Sequence, residues 1–148
     1  MKAFEIFFIF AAGFFLLVQV CDAHEHRKVA GNLDFVVGFL NEPAFSGEMN
    51  GVDLRVSLGG EPVEGLGETL KASVSRKDVS GSLELPFRGR YKQPGAYAAY
   101  FLPAKPGQYI FRIIGTAAGR EVNEVFTSGP ETFGDVQDSA PLRFPEEN

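Results

Sequence analysis

Two histidines, the only ones in the chain, lie two residues apart in the stretch His24-Glu25-His26. Imidazole nitrogens bind copper, nickel and zinc. If the chain is cut after Ala23, the new terminus adds an α-amine to this set. The amine, the deprotonated amides of Glu25 and His26 and the His26 ring would then bind a divalent ion in one plane. In a second arrangement, the amine and ring of His24 chelate the ion together and His26 supplies another imidazole.

Both arrangements favour Cu(II), because the affinity of nitrogen ligands peaks at copper in the divalent series. Neither suits Cu(I), which prefers sulfur ligands, since Met49 is the only methionine beyond Met1 and Cys21 precedes the cut. The sequence therefore predicts a Cu(II) site at His24 and His26 that depends on the position of one peptide bond. The opposing interpretation is that both histidines are solvated side chains on an exposed arm and bind nothing.

The segment before the histidines has the three parts of an export signal. A positive start and an apolar run over residues 6–20 precede Cys21 and Ala23, which offer small residues at the positions a signal peptidase reads. We therefore expect a signal peptide over residues 1–23 and a periplasmic or extracellular protein. Glu5 weakens the positive start and leaves an uncleaved anchor open, and acylation of Cys21 is the lipoprotein alternative.

Composition limits the chemistry of the mature chain. The leader takes with it one of the 14 basic and two of the 19 acidic side chains, so the remainder stays mildly acidic and has no electrostatic footprint for nucleic acid. It also takes the single cysteine, which excludes disulfides, a thiol nucleophile and a cysteine zinc site. Both histidines lie outside the predicted body of the domain, so no Ser-His-Asp machinery can form there. We therefore expect a protein that is not an enzyme.

Most of the mature chain alternates apolar and polar residues with the period of two that is typical of β-strands. Gly- or Pro-bearing turns separate most of these stretches, and no dozen residues show helical spacing. The pattern predicts an all-β fold, an immunoglobulin-like antiparallel β-sandwich of about seven strands, with a small Greek-key barrel as the rival. The predicted strands cover residues 33–40, 52–58, 70–74, 83–87, 97–101, 109–115 and 121–127.

The predicted sandwich covers residues 33–127 and leaves a segment at each end. Residues 24–32 are expected to form a polar arm. Residues 128–148 contain three prolines and several acids without a period, so we expect an exposed tail. Phe133, Leu142 and Phe144 are the tail side chains that could pack against the sandwich.

Tyr109 follows a Pro-Gly turn at the start of the penultimate predicted strand, just as Tyr97 follows an earlier Pro-Gly turn. Immunoglobulin-like sandwiches often carry a tyrosine corner near this position, with the hydroxyl bonded to nearby backbone. We therefore expect a structural role for Tyr109 rather than a role in binding a ligand.

The stretch PGAYAAYFLPAKPGQYIFRI at residues 94–113, with the export signal and a mature end starting with His, resembles the CopC-like and YtkA-like group of small exported proteins. The resemblance covers most of residues 33–127. It implies an immunoglobulin-like fold and, in members similar to CopC, Cu(II) held by the N-terminal His with a later Asp and His. His24 carries over by that resemblance. The internal His has no counterpart, no particular Asp can be assigned, and His26 is the remaining imidazole.

The sequence thus predicts an exported binding protein that holds Cu(II) at its processed N-terminus as a copper carrier or accessory. The alternative is a metal-free module that presents a sheet face, or the loop over residues 41–53, to an envelope protein. Both interpretations require no stable membrane span after signal cleavage, and both leave the oligomeric state open.

Overall fold

A computed structural model describes residues 23–145 of the chain. Within this range the chain forms ten β-strands and two short turns of 3-10 helix, at Leu66–Glu68 and Ala140–Leu142. Neither turn has the length of a helix that crosses a membrane. Apart from Ala23, the predicted signal peptide lies outside the described residues. The strands are β1 (Glu25–Val29), β2 (Leu33–Phe39), β3 (Asn50–Leu58), β4 (Glu61–Pro62), β5 (Leu70–Ser75), β6 (Ser82–Pro86), β7 (Arg88–Gly89), β8 (Ala96–Phe101), β9 (Ile110–Ala117) and β10 (Arg120–Thr127).

The strands form two antiparallel sheets that share one core. The larger sheet has the order β1-β2-β3-β8-β7, with β4 paired to β3, and the smaller has the order β10-β9-β5-β6. The seven predicted strands correspond to β2, β3, β5, β6, β8, β9 and β10. The prediction of an immunoglobulin-like β-sandwich is therefore confirmed.

Alternation along each strand decides which side chains enter the core. On β3, Val52, Leu54 and Val56 are buried, while Arg55 between them is exposed. Five aromatic rings then fill one end of the space between the sheets, with centroids 5.1–6.4 Å apart in mostly edge-to-face or tilted pairs. They belong to Phe39, Phe101, Tyr109, Phe111 and Phe133.

The predicted structural role of Tyr109 is confirmed. The side chain is buried, and its hydroxyl donates a hydrogen bond of 2.9 Å to the carbonyl of Lys105. Gly107 makes the preceding turn possible, because its φ of 112° lies in the region that favours glycine. The hydroxyl thus ties this turn to the strand that follows it.

The prediction of a separate polar arm over residues 24–32 is wrong, because β1 pairs with β2 and extends the larger sheet. Arg27 points inward from β1 and closes the side of the sandwich. Its guanidinium carbon lies 4.2 Å from the centroid of the Phe126 ring, and Nη1 donates to the Glu124 carboxylate at 3.1 Å and the Val125 carbonyl at 3.0 Å. This charged residue at an inward position interrupts the apolar pattern, so the strand could not be recognised from the sequence.

The prediction of an exposed tail from residue 128 onward is wrong for its first half. Phe133 is fully buried, and its ring stacks on Phe111 with centroids 5.1 Å apart and an interplanar angle of 14°. The backbone of Gln137 bonds with residues of the loop between β2 and β3. Phe133, Val136 and Ser139 are buried, whereas the residues between them are largely exposed, and at the end of the segment Leu142 and Phe144 leave 68% and 96% of their surface to solvent.

Candidate functional site

A row of residues across the outer face of the larger sheet brings His24 close to Asp53. The pairing of β1 with β2, continued by one residue, places His24 opposite Gly38. Gly38 in turn pairs with Asp53, and Asp53 pairs with Ala98. Paired residues project from the same face of a sheet. The two small residues beside Asp53 therefore leave space that longer side chains from the outer strands can enter.

The absence of a side chain at Gly38 is a steric requirement of this arrangement. A Cβ atom at this position would lie 2.8 Å from Cδ2 of His24 and 2.9 Å from the carbonyl oxygen of Ala23. Both distances are shorter than a Cβ atom tolerates. The imidazole of His24 lies over Gly38 on the outer face of the sheet and reaches Asp53 through the space that the missing side chain leaves.

Asp53 is a buried carboxylate, only 2% exposed, with three basic neighbours. Its Oδ2 lies 3.1 Å from Nε2 of His24 and 3.6 Å from Nε of Arg55, and its Oδ1 lies 3.1 Å from Nη1 of Arg90. A buried carboxylate needs such partners, because desolvation without compensation is costly. The alternation of apolar side chains along β3 indicates that Asp53 lies on the outer face, but its burial and its partners cannot be read from that pattern.

The contact with Asp53 determines which nitrogen of His24 carries the proton. A carboxylate only accepts hydrogen bonds, so Nε2 of His24 must be the donor, and Nδ1 of the neutral ring keeps its lone pair. Nδ1 is the ring nitrogen nearer the backbone and can chelate an ion together with the α-amine of the same residue. Metal-binding histidines commonly donate their other ring nitrogen to a carboxylate in this way.

His26, the second predicted ligand, projects from the same face of β1 as His24, because residues two apart on a strand share a face. The two histidines, with Val36 and Arg55, line a shallow cleft of about 310 Å³. The structure therefore brings the two predicted residues to one surface. Within residues 23–145, no group of three or more His, Cys, Asp or Glu side chains is placed to hold a metal ion. A third protein ligand would have to come from the backbone.

The backbone amide of Glu25 is already engaged in the sheet. Leu40 donates its N–H to the carbonyl of Gly51 at 2.9 Å, which sets the alternation of hydrogen bonds along β2. By that alternation Val37 faces β1 and exchanges hydrogen bonds with its partner Glu25. The N–H of His26, one residue further on, points away from β2. The planar chelate would therefore break a bond of the ladder.

Glu42 is a charged neighbour of His24 and lies between β2 and β3, in the predicted loop over residues 41–53. Burial raises the pKa of its carboxyl above the usual range, and this effect outweighs the opposing effects of a hydrogen bond from the Phe39 N–H at 3.3 Å and the charge of His24. The side chain of Asn50 holds this loop closed by bonds to both backbone groups of Asn41, at 2.9 and 3.0 Å.

No protein-family model matches the chain, and no curated protein matches it by sequence. Among solved structures, the chain is similar to a DUF4426 family protein from Pseudomonas aeruginosa, with a TM-score of 0.53 and 18% identity over 72% of this chain and 93% of the other. A filamin domain of Lin-41 gives a TM-score of 0.43 and 14% identity, over 68% and 91% of the two chains. The first similarity concerns the fold alone and agrees with the two-sheet sandwich. The resemblance to the CopC-like and YtkA-like group stays a prediction.

Proposed function

We propose that the protein, once exported and trimmed after Ala23, is a non-enzymatic binding protein that holds Cu(II) through His24 and His26, as a copper carrier or accessory. The observation that carries the proposal is the distance of 3.1 Å between Nε2 of His24 and Oδ2 of Asp53. This contact leaves Nδ1 of His24 available beside the position of the new α-amine. His26 projects from the same face of the strand and supplies a further imidazole.

Of the two arrangements open from the sequence, chelation by the amine and ring of His24 is the one that β1 favours. It uses no backbone amide, so β1 can stay paired with β2. The planar arrangement needs the deprotonated amide of Glu25 and would detach the start of the strand. The site would store Cu(II) or pass it on, and the bound ion would not take part in a reaction.

Asp53 acts in this proposal as a positioning residue and not as a ligand. Its carboxylate already bonds to Arg90 at 3.1 Å and lies 3.6 Å from Arg55, and these two cations oppose a divalent ion at the same oxygens. This differs from the pattern that the resemblance to CopC implies, in which an Asp binds the metal. The role of Asp53 is to orient the ring of His24 through Nε2.

The test is a Cu(II) titration of the trimmed protein, with its N-terminus confirmed by mass spectrometry. We expect a visible d–d band that saturates near one equivalent and weakens in His26→Ala. The matched control is the same chain with Ala23 retained, which moves the free amine away from His24 and should weaken Cu(II) binding and shift the band. A silent titration, or a band indifferent to both changes, would remove the proposal and leave the metal-free interaction module.

Two further measurements separate the possible ligand sets. The planar chelate releases protons from two backbone amides, whereas chelation through the His24 ring does not, so proton release on binding distinguishes them. Asp53→Asn keeps the shape of the side chain and should weaken Cu(II) binding roughly 10–100-fold, the usual effect of losing an orienting partner. The electron paramagnetic resonance spectrum should stay the same, since the ligands are unchanged. A changed spectrum would make Asp53 a ligand.

A further inference from the structure

One side of the sandwich is open above the short strand β7. This strand pairs with Tyr97 and Ala98 of β8, so that, among residues 23–145, the end of β8 at Tyr100 and Phe101 has no strand partner on that side. The last strand of the smaller sheet, β6, lies across the opening. Between them is a groove of about 360 Å³, here called the β6–β8 groove. Its apolar lining consists of Val74, Val79, Leu83, Phe101, Leu102 and Tyr109.

The free edge of β6 carries backbone groups that can receive another strand. Thr116 donates its N–H to the carbonyl of Thr69 at 3.0 Å, which sets the alternation of hydrogen bonds along β5. By that alternation the backbone of Leu83 exchanges hydrogen bonds with β5. The backbone N–H and C=O groups of Ser82 and Glu84 point instead toward the free edge of β6. Within the described part of the chain, these two outward residues have no ladder partner. Their N–H and C=O groups form a short template for strand addition.

The other wall of the groove, formed by β8, also carries backbone groups that face the opening. Arg90 donates its N–H to the carbonyl of Ala96 at 2.9 Å, and Arg88 pairs with Ala98, so the even-numbered residues of β8 face β7. Tyr100 is the next residue in this series, and β7 does not reach it. Its backbone groups therefore also point toward the opening, and a chain entering the groove meets backbone on both sides that the rest of the described chain does not pair.

The gap between the two sheets is closed on one side of the sandwich and open on the other. On the side of β1 and β10, the inward guanidinium of Arg27 binds the Val125 carbonyl and closes the gap between the sheets. On the side of β6, exposed apolar side chains border the opening instead, with Val79 49%, Leu83 51% and Leu102 49% exposed. Pro86, at the next outward-facing position of β6, has no N–H and limits the template to a few residues.

We propose that the β6–β8 groove binds an extended segment of a partner protein by β-strand addition to β6. Backbone bonds to Ser82 and Glu84 would supply the pairing, and alternate side chains of the added strand would enter the groove, so these should be apolar. Glu84 lies on the outer face of β6 and makes no ion pair within the described residues. The residue opposite Glu84 should therefore be Lys or Arg, because opposite charges stabilise cross-strand pairs. This site is independent of copper.

The experiment uses a synthetic peptide, acetyl-Ser-Val-Lys-Val-Lys-Val-Ser-amide, added to the ¹⁵N-labelled, metal-free protein. We expect amide shifts concentrated on β6 and the groove, and slowed hydrogen exchange at the N–H groups of Ser82 and Glu84. Glu84→Pro removes one outward N–H without touching the bonds to β5, and it should abolish binding. The matched control Glu84→Ala keeps the N–H and loses only the charge, so it should weaken binding a few-fold.

Several outcomes would overturn the proposal. They are shifts that lie away from β6, exchange at Ser82 and Glu84 that the peptide does not slow, and equal binding by Glu84→Pro. Sedimentation of the protein alone provides a further test, because self-association abolished by Glu84→Pro would make a second copy of this chain the occupant. If Glu84→Pro fails to fold, as a thermal melt would show, the exchange measurement on the unmodified protein still decides the question.

Discussion

His24 and Asp53 meet across the width of two strands, with Nε2 of the imidazole 3.1 Å from Oδ2 of the carboxylate. The contact joins the first residue before β1 to the centre of the sheet. It depends on the register of β1, β2 and β3 and on the missing side chain of Gly38 between them. The side chain that would bind the metal and the side chain that orients it are therefore fixed by the same strand pairing.

Gly38→Ala tests the steric part of this relationship. The new Cβ would lie 2.8 Å from the ring of His24, so either the ring or the start of β1 must move. We expect a loss of about 1–3 kcal/mol of stability, as for other overpacked sites, together with weaker Cu(II) binding by the trimmed protein. Thermal unfolding and the copper titration measure the two effects. Gly89→Ala is the matched control, because nothing lies within 4 Å of a Cβ there. Equal behaviour of the two variants would show that His24 does not need the space.

The two arginines beside Asp53 should contribute unequally to stability. Arg90 lies 3.1 Å from the carboxylate with 26% of its side chain exposed, whereas Arg55 lies 3.6 Å away and is 56% exposed. Removing the closer partner leaves a buried charge with less compensation, so Arg90→Gln should cost about 1–3 kcal/mol. Arg55→Gln should cost less than about 1 kcal/mol, as for an exposed ion pair. Urea denaturation of both variants gives the comparison, and a larger loss for Arg55→Gln would contradict it.

The segment after β10 should behave as part of the core. Phe133 is completely buried against Phe111 and Phe39, so Phe133→Ala should cost about 3–5 kcal/mol. Phe144→Ala, in the same segment, removes a ring that is 96% exposed and should change stability little. Thermal or urea unfolding of the two variants measures the difference. If both changes were equally mild, the segment would be the exposed tail that its composition suggests.

The strands of the sandwich were predictable because their signal is local. Most of the seven predicted strands carry an alternation of their own, and on β5, β9 and β10 burial follows it, whereas Leu83 on β6 is 51% exposed although the alternation placed it inward. Three strands of the described chain were missed. The strands β4 and β7 have only two residues each, and β1 gives no clear alternation, since the charged Arg27 occupies an inward position. Phe133 was named as a side chain that could pack against the sandwich, and it does, but its place in the core could not be predicted, because the chain around it joins the sandwich through isolated bridges rather than a ladder. Periodicity cannot reveal contacts of that kind.

The candidate site also contains residues that could be predicted from the sequence and residues that could not. His24 and His26 were predictable from chemistry, because imidazole nitrogens beside a potential free amine need no fold to be recognised. Asp53 could not be assigned, since its contact with His24 depends on the pairing of three strands. The available signal was the small residues that flank it in the sheet, Gly38 and Ala98, but their alignment with Asp53 appears only once the register is known.

Glu42 should make stability depend on pH in a direction that its burial determines. Burial raises the pKa of the folded-state carboxyl above its ordinary value of 4.5, so the folded protein holds this proton more tightly than the unfolded chain. The contribution of Glu42 to stability is therefore fully present at low pH and is lost as the pH rises through the folded-state pKa. Glu42→Gln stays neutral and can still accept the hydrogen bond from Phe39, so it should stabilise the protein at neutral pH and give no gain well below pH 4.5. Thermal unfolding across this range measures the difference. The same change at the exposed Glu48 serves as the control, and a gain for Glu42→Gln that is largest in acid would contradict the prediction.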